Sequence, residues 1–232
     1  MCQNVEAVKY VLKTAIPLSL GSILLYGEWQ VLTIFASFMG PAEVVAWSTM
    51  GIVWSVFEAA TQGIGDAGEV RMGFHLATGN LELAKQAAHK CVCMSVVYSL
   101  IITSMFLVMR GYVPSFFASD QTLMLPMCQI IPFIGIGNIT MTFGSASWML
   151  ISGQGRCHLA TFIQFCTSWG LTIPLAAIFT FYLNFNLEGI TSAVVIGYAL
   201  AGKSYISVLY CIMLTHAFCH FRFYFGWYSH VL

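Results

Sequence analysis

The sequence predicts an all-α membrane protein, a helical bundle of six transmembrane helices in a single domain over residues 1–232. Three observations support this fold class. Hydrophobic residues make up 59% of the chain and charged residues only 8%, whereas soluble domains carry about 25% charged residues. The mean hydropathy is +0.82, so a soluble fold would present a largely apolar surface to water. Six apolar stretches are also long enough to cross a bilayer, which takes roughly 20 residues each.

The six predicted spans are separated by connections that contain Gly, Pro, Asn or charged residues. They lie at about residues 16–39, 44–66, 91–109, 126–151, 159–182 and 189–213. The longest early connection, 67–90, is polar. Its last part, 81–90, is predicted to form a short helix along the membrane surface, because Leu81, Ala84 and Ala87 share one face.

The positions of Lys and Arg predict the orientation of the bundle. With a cytoplasmic N-terminus, seven of these residues fall in cytoplasmic segments, Arg110 lies on the opposite side, and Lys203 lies inside the last span. This distribution satisfies the positive-inside rule. We therefore predict a multi-pass integral membrane protein of the plasma membrane, or of a vacuolar or other organellar membrane, with both termini in the cytoplasm.

Composition and motifs exclude several classes of function. The formal net charge is zero, so the chain lacks the basic surface of a nucleic-acid-binding protein. The sequence contains no zinc-protease, serine-hydrolase or P-loop motif. His216, Cys219 and His220 could supply three zinc ligands, but they do not form a complete tetrahedral set. We predict a protein that is not an enzyme, with no cofactor and no metal site.

Glu28 is the most informative residue, because it lies close to the middle of the first predicted span. A charge at that depth costs about 2.5–3.5 kcal/mol, so such residues usually mark an ion or substrate pathway. Burial favours the neutral form of a carboxyl group, which a proton-coupled site requires. The alternative is a neutral carboxyl held by a backbone carbonyl or by Lys203.

Polar residues in the second predicted span recur at helical spacing and form one stripe. They are Ser48, Ser55, Glu58, Gln62, Asp66 and Glu69. Three acids on one helix face favour an aqueous cavity, so Glu58, Gln62 and Asp66 are predicted site residues. The alternative is a helix packed against protein with its hydrogen bonds satisfied.

Aromatic and amide side chains complete the predicted site. Tyr26 and Trp29 lie beside Glu28 in the sequence and could offer ring faces to an organic cation, unless they only fill the core. Asn138 lies in the middle of the fourth predicted span, so it is predicted to be a polar group inside the bundle. All three are candidate binding residues.

Small and helix-breaking residues indicate how the spans pack. The sixth span carries Gly189, Ala193, Gly197 and Ala201 at four-residue spacing, which is typical of close helix packing. Pro174 interrupts the fifth span. Such breaks either line a transport site or act as hinges, and otherwise they serve packing.

Several of these motifs, in order, resemble the C-terminal half of eukaryotic multidrug and toxic compound extrusion (MATE) transporters. Ile16-Pro17 and Gly27-Glu28-Trp29 resemble the seventh helix of that family. The motifs that resemble its long cytoplasmic loop and its tenth and eleventh helices are Val70-Arg71-Met72-Gly73, Gly79-Asn80, Ala84-Lys85, Ile131-Pro132, Ser152-Gly153-Gln154-Gly155-Arg156 and Pro174.

The resemblance implies half of a twelve-helix transporter, a lobe that pairs with a second six-helix lobe around a central cavity. Family members are secondary active antiporters that export organic cations or amphipathic toxins in exchange for protons or sodium. The family acid that matches Glu28 binds the coupling cation and the substrate. Two departures are Thr61-Gln62-Gly63, where the family has Pro-Ala-Gly, and Glu69, where a small residue is usual. The alternative function is a non-transporting half-transporter that serves in assembly.

Overall fold

The computed structural model describes residues 3–117 and 121–228, and within these ranges the regular structure is helical. The helices are α1 (Gln3–Ser37), α2 (Pro41–Ala77), α3 (Leu81–Val108), α4 (Val113–Phe117), α5 (Gln121–Gly153), α6 (Cys157–Thr167), α7 (Ile173–Ala177) and α8 (Asn186–Tyr228). Two wider π-helical segments follow α6 and α7, namely π1 (Ser168–Thr172) and π2 (Ile178–Tyr182). The predicted all-α bundle is confirmed.

Five helical segments in the described ranges are long and apolar enough to cross a membrane. They are Pro41–Ala77, Leu81–Val108, Thr122–Gly153, Cys157–Tyr182 and Asn186–Cys211, and they correspond to the second to sixth predicted spans. The first predicted span falls almost entirely within α1, which is helical over 35 residues but is not one of these five. Its crossing of the bilayer therefore stays a prediction.

The connection between the second and third spans differs from the prediction. Residues 81–90 do not form a separate surface helix, because they are the first turns of α3 and continue into its membrane segment. Ala84, Ala87 and Ala88 are buried, and Ala84 and Ala88 pack with Met72 of α2. The apolar face that was predicted to meet lipid headgroups therefore packs against protein.

Helix α5 is the centre of the bundle. It packs against α2, α3 and α8, whereas α1 lies mainly against α6. One buried core joins α1, α2, α5 and α8 around Trp47 and Trp54. A second core surrounds Met72 and Leu150. Many large apolar side chains elsewhere are exposed, as expected for a surface that faces lipid.

The fifth span follows a widened helical path on either side of Pro174. Proline lacks an N–H and crowds the carbonyl four residues earlier, and π1 immediately precedes this turn. Gly197 of α8 lies directly against Thr172 of π1, so closely that a Cβ atom would overlap the threonine hydroxyl. Gly189 similarly faces Phe179. The small-residue stripe therefore packs inside this lobe, which confirms its predicted role in packing.

Candidate functional site

A cavity of about 220 Å³ lies between α1, α2, α5, α6 and α8. Four of the predicted site residues line it: Tyr26 and Trp29 from α1, and Glu58 and Gln62 from α2. Glu58 is half-buried and Gln62 is exposed. The polar stripe of α2 thus contributes two side chains, one turn apart, to the cavity wall.

Aromatic rings form the wall beside α1. Trp29 lies 4.9 Å from Trp47 and 5.4 Å from Trp54, measured between ring centroids. Trp54 in turn meets Tyr198 of α8 at 6.3 Å. Tyr198 also lines the cavity. Trp29 is therefore held by neighbouring rings, which fixes the orientation of its indole.

Glu28 lies within the protein and does not line the cavity. It is 1% exposed, and its Oε2 atom has no hydrogen-bond partner. The polar side chain beside it is Ser168, the first residue of π1. A buried charge without a counter-charge is costly. Among the described side chains no ion pair to Glu28 occurs, and the salt bridge found there joins Lys85 to Glu82 at the surface.

The approach of π1 to Glu28 follows from the neighbouring sequence. Gly27 has no side chain, and a Cβ atom there would lie 3.2 Å from the Trp169 ring. Trp169 donates a hydrogen bond from Nε1 to the carbonyl oxygen of Leu24 at 3.2 Å. Because Trp169 follows Ser168 directly, this bond brings the serine against α1. Gly27 therefore permits the close approach of π1 to α1 beside Glu28.

A chain of polar side chains continues from Ser168 back to the cavity. Gln164 donates from Nε2 to Ser168 Oγ at 2.6 Å, and the Tyr205 hydroxyl donates to Gln164 Oε1 at 2.7 Å. Gln164 and Tyr205 both line the cavity. Ser168, which lies beside Glu28, is thus joined to the cavity wall through Gln164.

Two predicted site residues lie elsewhere. Asn138 is 2% exposed and donates from Nδ2 to the Ser99 carbonyl oxygen at 3.4 Å and to Thr103 Oγ1 at 3.1 Å, so it ties α5 to α3. Asp66 is exposed on α2, two turns beyond Glu58, and is not among the lining residues of the cavity. The structure therefore does not bring these two together with Tyr26, Trp29, Glu58 and Gln62.

Sequence reasoning did not identify Gln164, Ser168, Tyr198 or Tyr205. Gln164 is an amide deep in a predicted span, so the reasoning applied to Glu28 would have identified it. Serine and tyrosine are common in membrane helices and give no such signal alone. Among the described residues, no group of three metal-ligating side chains occurs, and the side chains of His216, Cys219 and His220 lie outside those described.

Comparison with known proteins identifies the family. The MatE family model matches residues 17–178. Relatives include an uncharacterized transporter of Schizosaccharomyces pombe, 25% identical over 71% of this chain and 31% of its own length. Protein DETOXIFICATION 9 of Arabidopsis thaliana is 22% identical over 80% of this chain and 39% of its own length. Multidrug and toxin extrusion protein 1 of Homo sapiens is 18% identical over 80% of this chain and 32% of its own length.

Solved structures have the same fold. A MATE crystal structure in the straight conformation superposes with a TM-score of 0.84 at 16% identity, over 90% of this chain and 47% of that one. The bent form of the Vibrio cholerae transporter VcmN superposes with a TM-score of 0.84 at 15% identity, over 92% of this chain and 48% of that one. The chain spans less than half the length of these proteins. Its relatives are transporters, which confirms the prediction that it is not an enzyme, and the chain belongs to the MatE family of integral membrane proteins.

Proposed function

We propose that this chain is the cation-binding lobe of a secondary active antiporter, which exports organic cations or amphipathic toxins in exchange for protons or sodium, with Glu28 as the coupling carboxylate. The observation that carries the proposal is the buried Glu28 carboxyl, with one unpartnered oxygen, beside an acidic and aromatic cavity. The relative named as a multidrug and toxin extrusion protein supports the class of substrate.

The chemistry of the cavity fits an amphipathic cation. Trp29 and Tyr26 offer aromatic surface, which attracts organic cations through the negative ring face. Glu58 adds a carboxylate at the same wall. The cavity, about 220 Å³, is smaller than the roughly 300–1,000 Å³ of typical ligand pockets. A second lobe that closes over this wall would supply the remaining volume.

Coupling requires that the carboxyl be neutralised in two alternative ways. A proton on Glu28 makes the buried group neutral, and without the proton the carboxylate needs a nearby positive charge. A cation in the cavity supplies that charge. If the two bound forms exclude one another, movement of this lobe against a second lobe carries them in opposite directions across the membrane.

The proposal is tested by transport in vesicles. The chain, alone and together with a six-helix N-terminal lobe from a relative, is reconstituted into proteoliposomes with an imposed pH or sodium gradient. Gradient-driven uptake of tetraethylammonium is then measured. We expect Glu28→Gln to abolish this uptake, whereas Glu82→Gln on the surface leaves it unchanged. Unaltered pH-driven uptake by Glu28→Gln would show that the proposed role of Glu28 is wrong.

The same experiment tests the alternative, a half-transporter that serves only in assembly. The chain spans less than half the length of the solved MATE transporter that it matches. Because the small-residue face of α8 is already occupied by π1 and π2, a protein that assembles with this lobe would have to bind another face of the bundle. Uptake that never appears, even with a second lobe present, would favour the assembly role.

A further inference from the structure

The side chains of Tyr205, Gln164 and Ser168 form a hydrogen-bonded row that leads from the cavity toward Glu28. The two donor–acceptor distances, 2.7 and 2.6 Å, are short, and Ser168 lies beside the Glu28 carboxyl. All three residues are at most 7% exposed. In such dry surroundings hydrogen bonds polarise one another and act as a unit.

The row has a direction. The Tyr205 hydroxyl donates to the Gln164 carbonyl oxygen, and the Gln164 amide donates to the Ser168 oxygen, which leaves the serine proton available to the Glu28 carboxyl beside it. Both hydrogen bonds of the row therefore run in the direction of the carboxyl. The amide of Gln164 holds its protons firmly, so the row orients groups and does not conduct protons.

Only the outer end of the row can meet a ligand. Gln164 and Tyr205 line the cavity, whereas Glu28 and Ser168 do not. A cation bound in the cavity would draw the oxygens of Gln164 and Tyr205 toward itself. That shift would change the strength with which Ser168 donates to Glu28.

We infer that Gln164 and Ser168 are positioning residues, through which occupancy of the cavity by an organic cation controls the proton on Glu28. This inference rests on the proposed function and adds to it that substrate and proton communicate through side chains rather than by sharing one carboxylate. The linkage is reciprocal, because a proton on Glu28 must alter cation affinity by the same factor.

Other titratable groups around Glu28 must be considered. Tyr198 and Tyr205 of α8 and, beside Tyr198, Glu58 of α2 interact with this region electrostatically. The contacting elements π1 and α7 contribute no charged side chain, and α6 contributes His158, which is exposed at the start of that helix. A proton released on cation binding can therefore come from Glu28 or Glu58, and variants of each distinguish the two sources.

The test is proton release by the purified chain in detergent. Tetraphenylphosphonium, an aromatic cation that carries a permanent charge, is added in weakly buffered solution, and a pH indicator records the protons released per cation bound at saturation. We expect Ser168→Ala and Gln164→Leu each to lower this ratio by a factor of roughly three. The matched control is Ser147→Ala, since Ser147 is fully buried but donates only within its own helix, to the Phe143 carbonyl oxygen at 2.7 Å.

The outcomes separate this inference from the proposed function. Full proton release by both Ser168→Ala and Gln164→Leu, with release abolished by Glu28→Gln, would overturn the proposed role of Gln164 and Ser168. Glu28 would then remain the coupling residue. Release that persists in Glu28→Gln, or is absent from the unsubstituted chain, would overturn both. Release that falls roughly threefold in Ser168→Ala and Gln164→Leu and is abolished in Glu28→Gln, with Ser147→Ala normal, supports both.

Discussion

Trp29 of α1 and Trp47 of α2 stack with ring centroids 4.9 Å apart and planes inclined by 30°. Trp54 meets Trp29 from a second side, edge to face, and Trp47 donates from Nε1 to Thr33 Oγ1 at 3.2 Å. The Trp29 indole is therefore fixed before a ligand arrives, and its remaining surface lines the cavity. Preorganised aromatic surface of this kind favours binding, because little side-chain entropy is lost.

Replacement of Trp29 should weaken binding of an aromatic cation. We expect Trp29→Leu to lower the affinity for tetraphenylphosphonium roughly fivefold, since a cation–π contact contributes about 0.5–2 kcal/mol. Equilibrium binding to the purified chain measures this. Phe38→Leu is the control, because Phe38 belongs to an exposed ring pair with Phe181 away from the cavity. Equal losses in both variants would contradict a binding role for Trp29.

Removal of the Glu58 charge should weaken binding without removing the coupling. The carboxylate lies in the cavity wall, where loss of one negative charge costs at least about 1 kcal/mol of attraction for a cation. We expect Glu58→Gln to lower tetraphenylphosphonium affinity at least roughly fivefold and to keep the protons released per bound cation unchanged. Glu82→Gln serves as control, because Glu82 pairs with Lys85 at the surface. Lost proton release in Glu58→Gln would transfer the coupling role from Glu28 to Glu58.

Enlargement of Gly197 should destabilise the bundle. A Cβ atom there would overlap Thr172 of π1, and forced overpacking typically costs about 1–3 kcal/mol. We expect Gly197→Ala to lower the apparent Tm of the chain in detergent, measured by tryptophan fluorescence. In Gly63→Ala the new methyl meets nothing within 4 Å, so its Tm should stay the same or rise, as alanine favours the helix. An unchanged Tm for Gly197→Ala would mean that α8 and π1 are not in close contact.

Replacement of Asn138 should affect stability more than binding. Its amide joins α5 to Ser99 and Thr103 of α3, and loss of a buried hydrogen-bonded group costs about 1–3 kcal/mol. We expect Asn138→Leu to lower the apparent Tm while tetraphenylphosphonium affinity stays within roughly twofold. The control is Thr140→Val, since Thr140 bonds only to the Gly137 carbonyl oxygen of its own helix. Lower affinity with an unchanged Tm would instead place Asn138 in the binding site.

The sequence alone determined the class of fold. With 8% charged residues, the chain must bury its backbone hydrogen bonds in helices that face lipid, and the long apolar runs fixed where those helices lie. Local pattern was also sufficient for the close packing at Gly197, whereas of the predicted stripe on α2 only Glu58 and Gln62 line the cavity. The predicted surface helix at residues 81–90 was wrong, because an apolar face does not reveal whether it meets lipid headgroups or another helix.

Only the tertiary structure decided which polar residues meet. Glu28, Ser168 and Tyr205 are far apart in the sequence, and their meeting depends on how α1, π1 and α8 pack. Periodicity places a side chain on a face of its own helix but does not specify which neighbour that face will touch. For this reason Glu28 was recognisable as a costly buried acid from its position in an apolar run, whereas the side chains that connect it to the cavity were not.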